Sequence, residues 1–156
     1  MEAESLLDIL ESYQDRSIET MALSGQSTGE VVNLSGDGFF ASNEVISCKF
    51  VVLGRGEHYL LIYGDIQDYA YHANLLDGYC KREGIVRHWV RQPDQLHIED
   101  PQYQVLGGGY LELDGVRRKI RLFGSSKAYG YYDSDAVRLI TSAAPEFAGF
   151  SVAIEM

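Results

Sequence analysis

Apolar and polar positions change period several times along the chain, and each change marks an element. Residues 5–13 (SLLDILESY) place Leu6, Ile9, Leu10 and Tyr13 at helical spacing, with Glu2, Glu4, Asp8 and Glu11 mostly on the other side. This predicts a short amphipathic helix whose early acids favour the helix dipole, covering one edge or face of the domain. From Asp15 to Asn43 glycines interrupt short apolar pieces such as Val31-Val32 and Phe39-Phe40, which predicts loops and one or two short strands.

Val45 to Leu53 (VISCKFVVL) and Tyr59 to Tyr63 (YLLIY) are β-branched, nearly continuous apolar runs. Gly54-Arg55-Gly56 supplies a turn between them, so a hairpin of strands buried on both faces is expected. After Tyr71 the period lengthens. His72 to Arg82 sets Ala73, Leu76 and Cys80 with Leu75 and Tyr79 on one helical face, and Gly84 can end that helix. Ile85 to Val90 alternates like a half-buried strand, and a loop with a short strand near Leu96–Ile98 follows. Gln104–Leu106, Tyr110–Leu113 and Val116–Phe123 read as further strands, with Asp114-Gly115 as a hairpin turn. Ser134 to Ala144 carries a second helical pattern capped by Asp133 or Ser134, and Phe150 to Ile154 closes as a strand. The irregular interleaving of strands and helices predicts an α+β fold, a mixed sheet flanked by helices, with no internal repeat or second domain.

Composition narrows the class. At 156 residues, 46% hydrophobic and 23% charged, the chain is large enough for one core without staples. Thirteen basic against 23 acidic residues give a net charge of −10, which argues against nucleic acid as a partner. Two cysteines, Cys48 and Cys80, make neither a disulfide framework nor a four-cysteine metal site. No run reaches the roughly 20 apolar residues of a membrane helix. A reduced, cytoplasmic protein with no membrane partner is expected.

Two segments suggest anion chemistry. Tyr71-His72-Ala73 opens a predicted helix, and Gly124-Ser-Ser-Lys-Ala-Tyr-Gly130 reads as a small-residue loop leading into another. Helix starts leave amides unpaired and partly positive, and a small-residue loop can form a concave amide nest. Taken singly, neither is specific. The Gly107-Gly108-Gly109 run reads as a bulge or crossing point, and the tyrosines at 69, 71, 129, 131 and 132 as packing or pocket rim.

Together with Lys49-Phe-Val-Val-Leu53, Leu106-Gly-Gly-Gly109 and Pro145-Glu146-Phe147, these segments occur in an order that resembles the phosphohistidine phosphatase (Janus/Ocnus) family. The resemblance runs from Lys49 to Ile154. It implies a twisted mixed sheet of about six strands with a helix on each side, and makes residues 45–156 the core with 1–44 an added N-terminal extension carrying the extra helix. It further implies a metal-independent phosphatase without cofactors, acting on phosphohistidine or a related phosphoramidate in a phosphorylated protein or a small molecule. His72 would be the base or phosphate acceptor and Lys49 the phosphate-holding cation. The backbone at His72 and Ala73 and at Ser126, Lys127 and Ala128 would cradle the phosphoryl oxygens. A noncatalytic anion- or protein-binding module on the same fold is the alternative, and oligomeric state is not read from the sequence. The chain departs from the family at Tyr110 and at Tyr63-Gly64-Asp65, where the resemblance leads one to expect arginines. Lys127 and Arg121 are the candidate replacements.

Overall fold

A computed structural model describes residues 27–36 and 45–155. The predicted hairpin is present: β2 (Val45–Arg55) and β3 (His58–Asp65) are antiparallel, and Gly56 takes a left-handed φ of 61° in the turn. Successive side chains of a strand point to opposite faces. Phe50, Val52, Leu61 and Tyr63 therefore go to one face, and Val51, Leu53, Leu60 and Ile62 to the other. Both faces are buried here, which is why the runs are continuously apolar. Each such side chain contributes about 1.5–3 kcal/mol through burial.

Six strands form one mixed sheet. Beyond β2 lie β6 (Tyr103–Asp114), β7 (Lys119–Phe123) and β8 (Ser151–Ile154), and beyond β3 lies β1 (Thr28–Asn33). The order is β1-β3-β2-β6-β7-β8, parallel in the two outer pairs and antiparallel between. The edge strand β1 belongs to the segment read as an extension, and the predicted N-terminal helix lies outside the described residues.

Each face carries one helix. On the first, α1 (His72–Glu83) buries Ala73, Leu75, Leu76, Tyr79 and Cys80 against Val51, Leu53, Leu60 and Ile62. It ends at Gly84, whose left-handed φ of 72° lets its N–H turn back to Cys80. On the opposite face, α2 (Ser134–Ala143) buries Val137 and Ile140 among Phe50, Leu61, Leu111 and Leu122, joined by Phe147 from a short 3-10 turn. The segment from Arg87 forms its own hairpin outside the main sheet, β4 (Arg87–Arg91) with β5 (Gln95–Ile98). Leu96 and Ile98 from it join the α1 cluster, and Arg87 is held 3.0 Å from Asp77 of α1.

Three expectations are corrected. The two strands around the glycine run are one, because Gly107–Gly109 continues β6 through a bulge. Leu106 and Gly107 together oppose Val52, and Gly107 takes a φ of 91°. The turn after Asp114 is longer than two residues: β7 starts only at Lys119, Asp114 accepts the Val116 and Arg117 amides, and Arg118 has a φ of 58°. The Gly124–Gly130 loop does not open α2. Its ends pair with each other, Ser126 with Gly130, and two residues, Tyr131 and Tyr132, intervene before Asp133 caps the helix.

Candidate active site

His72 is the first residue of α1, and the chain reaches it through an extended Tyr71 (φ −124°, ψ 150°). Asn74 closes the turn by accepting the Tyr71 N–H at 2.9 Å. The Tyr71 side chain makes no cap bond, and no acceptor among the described residues takes the His72 or Ala73 amide. Both N–H groups of the first turn are therefore available to an anion.

His72 is buried, 6% exposed, with its ring against the glycine run of β6. Its Nε2 is 2.9 Å from the Gly109 carbonyl oxygen of β6. A carbonyl only accepts, so the bonded nitrogen carries the proton and Nδ1 keeps its lone pair. Among the described residues nothing hydrogen-bonds Nδ1. Burial lowers the pKa below its usual 6.5; the Gly109 bond pulls the other way, and the nearby Lys49 charge lowers it further. At neutral pH the ring is uncharged with a basic nitrogen to offer.

The glycine run makes this approach possible. A Cβ on Gly108 would stand 3.0 Å from His72 Cδ2 and 2.5 Å from the Phe50 carbonyl oxygen, and one on Gly109 would stand 2.5 Å from the Phe123 carbonyl oxygen. Contacts that short force backbone to move, so the strand is glycine where the ring packs.

Lys49 sits directly opposite Tyr110 across β2 and β6. Its ammonium lies 5.5 Å from the Tyr110 ring centre and 5.9 Å from that of Tyr71, with no carboxylate paired to it among the described residues. Desolvation lowers its pKa below the usual 10.5. Tyr110 meets the His72 ring edge-on at 5.9 Å and stacks on Phe123 at 5.8 Å. Lys49, His72 and the free amides thus belong to one neighbourhood, walled by Tyr71 and Tyr110.

The Gly124–Gly130 loop is tied to the same strand segment. The Gly130 carbonyl accepts from both Ser126 N at 3.0 Å and Gly108 N at 3.2 Å. Ser126 is buried, and its hydroxyl oxygen accepts the Tyr129 amide at 3.0 Å, while the Lys127 and Ala128 amides have no acceptor among the described residues. Tyr129 and Gln95 fasten this loop to β5 through Leu96 and the Ala128 carbonyl.

The start of α2 plays no part here. Asp133 accepts the Asp135 and Ala136 amides, and the helix lies on the other face. The two candidate replacement cations have other neighbours. Arg121 is committed to Glu155 at 3.0 Å and Glu112 at 3.7 Å, and Lys127 is exposed within electrostatic reach of Asp94. The aromatic walls of Lys49 and the Gly109 anchor were not assigned from sequence. Tyr71 already stood in the motif, but the Tyr110–Lys49 pairing needs the sheet register.

A mixed six-stranded sheet with a helix on each face, one of them opened by a buried histidine, defines an α+β protein. The Janus/Ocnus family model matches residues 46–150, and the chain belongs to the Janus/Ocnus family. No curated protein matches the chain. No helix among the described residues is long and apolar enough to cross a membrane, and no three His, Cys, Asp or Glu side chains among them gather as metal ligands.

Proposed function

We propose that this protein is a metal-independent phosphatase that hydrolyses phosphohistidine or a related phosphoramidate. The observation that carries the reading is His72 itself: one ring nitrogen is held by a backbone carbonyl, and the other is unprotonated and unpaired beside two free amides. In the proposed step Nδ1 takes a proton from a water as its oxygen attacks phosphorus. The P–N bond breaks on the opposite side, the nitrogen keeps the bond's electron pair and takes a proton from solvent water, and the proton held on Nδ1 returns to solvent as phosphate departs. The amides of His72, Ala73, Lys127 and Ala128 hold the phosphoryl oxygens, the buried Ser126 shapes the loop that presents two of them, and Lys49 supplies a formal positive charge. Positioning and charge stabilisation are what phosphoryl transfer asks of a protein, and the P–N bond is already labile.

The test compares phosphohistidine hydrolysis by wild type and His72→Ala, with circular dichroism to verify folding. Turnover should fall about 100-fold or more, the scale of losing a general base. Equal rates would remove His72 from the chemistry and leave the noncatalytic binding module.

A further inference from the structure

The β4–β5 hairpin stands outside the main sheet, yet it touches both halves of the candidate site. Leu96 and Ile98, with the partly buried Trp89, pack into the cluster formed around α1, the helix that His72 opens. Arg87 adds a partly buried ion pair to Asp77 of the same helix at 3.0 Å. The hairpin also reaches the 124–130 loop. The Tyr129 hydroxyl accepts the Leu96 N–H at 3.0 Å and donates to the Leu96 carbonyl at 3.4 Å, so one loop side chain engages both main-chain groups of a β5 residue. Gln95 Nε2 donates to the Ala128 carbonyl at 3.4 Å.

These bonds flank two amides of the candidate anion cradle. On one side the loop is fixed to β6, because the Gly130 carbonyl takes the Ser126 and Gly108 N–H groups. At Ala128 and Tyr129 it is fixed to β5. The Lys127 and Ala128 N–H groups, which have no acceptor among the described residues, sit between the two attachments. A backbone amide cannot swing out as a side chain does, because its direction is set by a rigid peptide plane. Holding the neighbouring planes therefore aims the donors, and an oxyanion needs them at about 2.7–3.1 Å.

We propose that the β4–β5 hairpin braces the anion site, with Gln95 and Tyr129 as positioning residues that hold the Lys127 and Ala128 amides in place relative to His72. The proposal rests on the phosphatase reading for the reaction the site performs, whereas the bracing itself is read from anion binding alone. Because α1 and the loop are both fastened to one hairpin, an anion gripped by both steadies the hairpin in return.

The probe is inorganic phosphate, titrated into the isotope-labelled chain and followed at the backbone amides by NMR. In the wild type the His72, Ala73, Lys127 and Ala128 amides should shift along one saturation curve, and hydrogen exchange at the Leu96 amide should slow as phosphate is added. Tyr129→Phe keeps the ring and removes the hydroxyl, while Gln95→Ala removes the donor to Ala128, and both leave the apolar packing of the hairpin intact. Each should weaken phosphate binding about fivefold, the scale of one net hydrogen bond. KM for a small phosphoramidate should rise by the same factor with kcat and the pH profile held, because His72 is untouched and the loop amides grip ground and transition states alike. A merely structural role would lower the melting temperature and leave phosphate affinity as it was. The bracing is overturned by loop amides that do not move with those of His72 and Ala73, by Leu96 exchange indifferent to phosphate, or by wild-type affinity in both variants. Phosphate binding as described with no turnover of any phosphoramidate overturns the phosphatase reading alone.

Discussion

Replacing Gly108 by alanine tests the packing that holds the His72 ring. The new Cβ would fall 2.5 Å from the Phe50 carbonyl oxygen, 3.0 Å from His72 Cδ2 and 3.4 Å from Val51 Cα. To restore a contact of about 3.4 Å, the Phe50 carbonyl must recede by about 0.9 Å or the ring by about 0.4 Å, and both lie in close-packed surroundings. The Nε2 bond to Gly109 is 2.9 Å. A ring displacement of that size stretches it to about 3.3 Å, past the usual range of an N–H···O hydrogen bond. Overpacking of this kind costs about 1–3 kcal/mol. At about 2–4 °C per kcal/mol for a chain of this size, the melting temperature should drop by about 2–12 °C. Thermal melts by circular dichroism measure the cost, long-range proton–nitrogen NMR reads the His72 tautomer, and phosphohistidine hydrolysis reads the consequence. Tautomer and turnover should be disturbed together, with turnover down about tenfold, as misplacing a base by a fraction of an ångström implies. An unchanged melting temperature with the proton still on Nε2 would refute the reasoning.

Two further outcomes follow from the same geometry. Because burial lowers the His72 pKa, kcat/KM should hold as pH falls through 6.5 and decline only below it; stability runs with the sign of a buried neutral histidine, being lost as pH falls below 6.5 because the unfolded chain then binds the proton first. A pH–rate profile breaking above 6.5 would contradict a desolvated base. Asp133→Ala removes the acceptor of two α2 amides and should cost about 1 kcal/mol in chemical denaturation while leaving hydrolysis unchanged, and a loss of activity would put the start of α2 back in the site.

What the sequence made legible was local. The β2–β3 hairpin could be read because both faces of those strands are buried, and α1 could be read to its ends because Gly84 and the Tyr71-His72 junction stand at its boundaries. The three glycines at 107–109 looked like a break, yet they continue a strand. Their purpose lies in the Phe50 and Phe123 carbonyls and the His72 ring, all distant in sequence. The loop at 124–130 was joined to α2 because it precedes that helix, whereas its hydrogen bonds lead back to Gly108 and across to β5. Alternation around Glu112 and Arg121 shows that one face is polar, but not that this face adjoins His72. Sheet register decides that.

Tyr110 shows how the departure from the family resemblance changes the electrostatics. Where an arginine is expected, the chain presents a ring that faces Lys49 at 5.5 Å, meets His72 at 5.9 Å and stacks on Phe123 at 5.8 Å. A second cation there would add to the Lys49 field on His72, which already disfavours the protonated ring. The tyrosine instead supports the existing cation through its π face, worth about 0.5–2 kcal/mol, and does so without a carboxylate that would cancel the charge. Lys49 has no carboxylate paired to it among the described residues, and desolvation lowers its pKa below the usual 10.5. The remaining demand for positive potential falls on backbone amides, which cannot titrate and whose aim is set by the fold. A site built this way is weak as a distant attractor of anions and strong at contact.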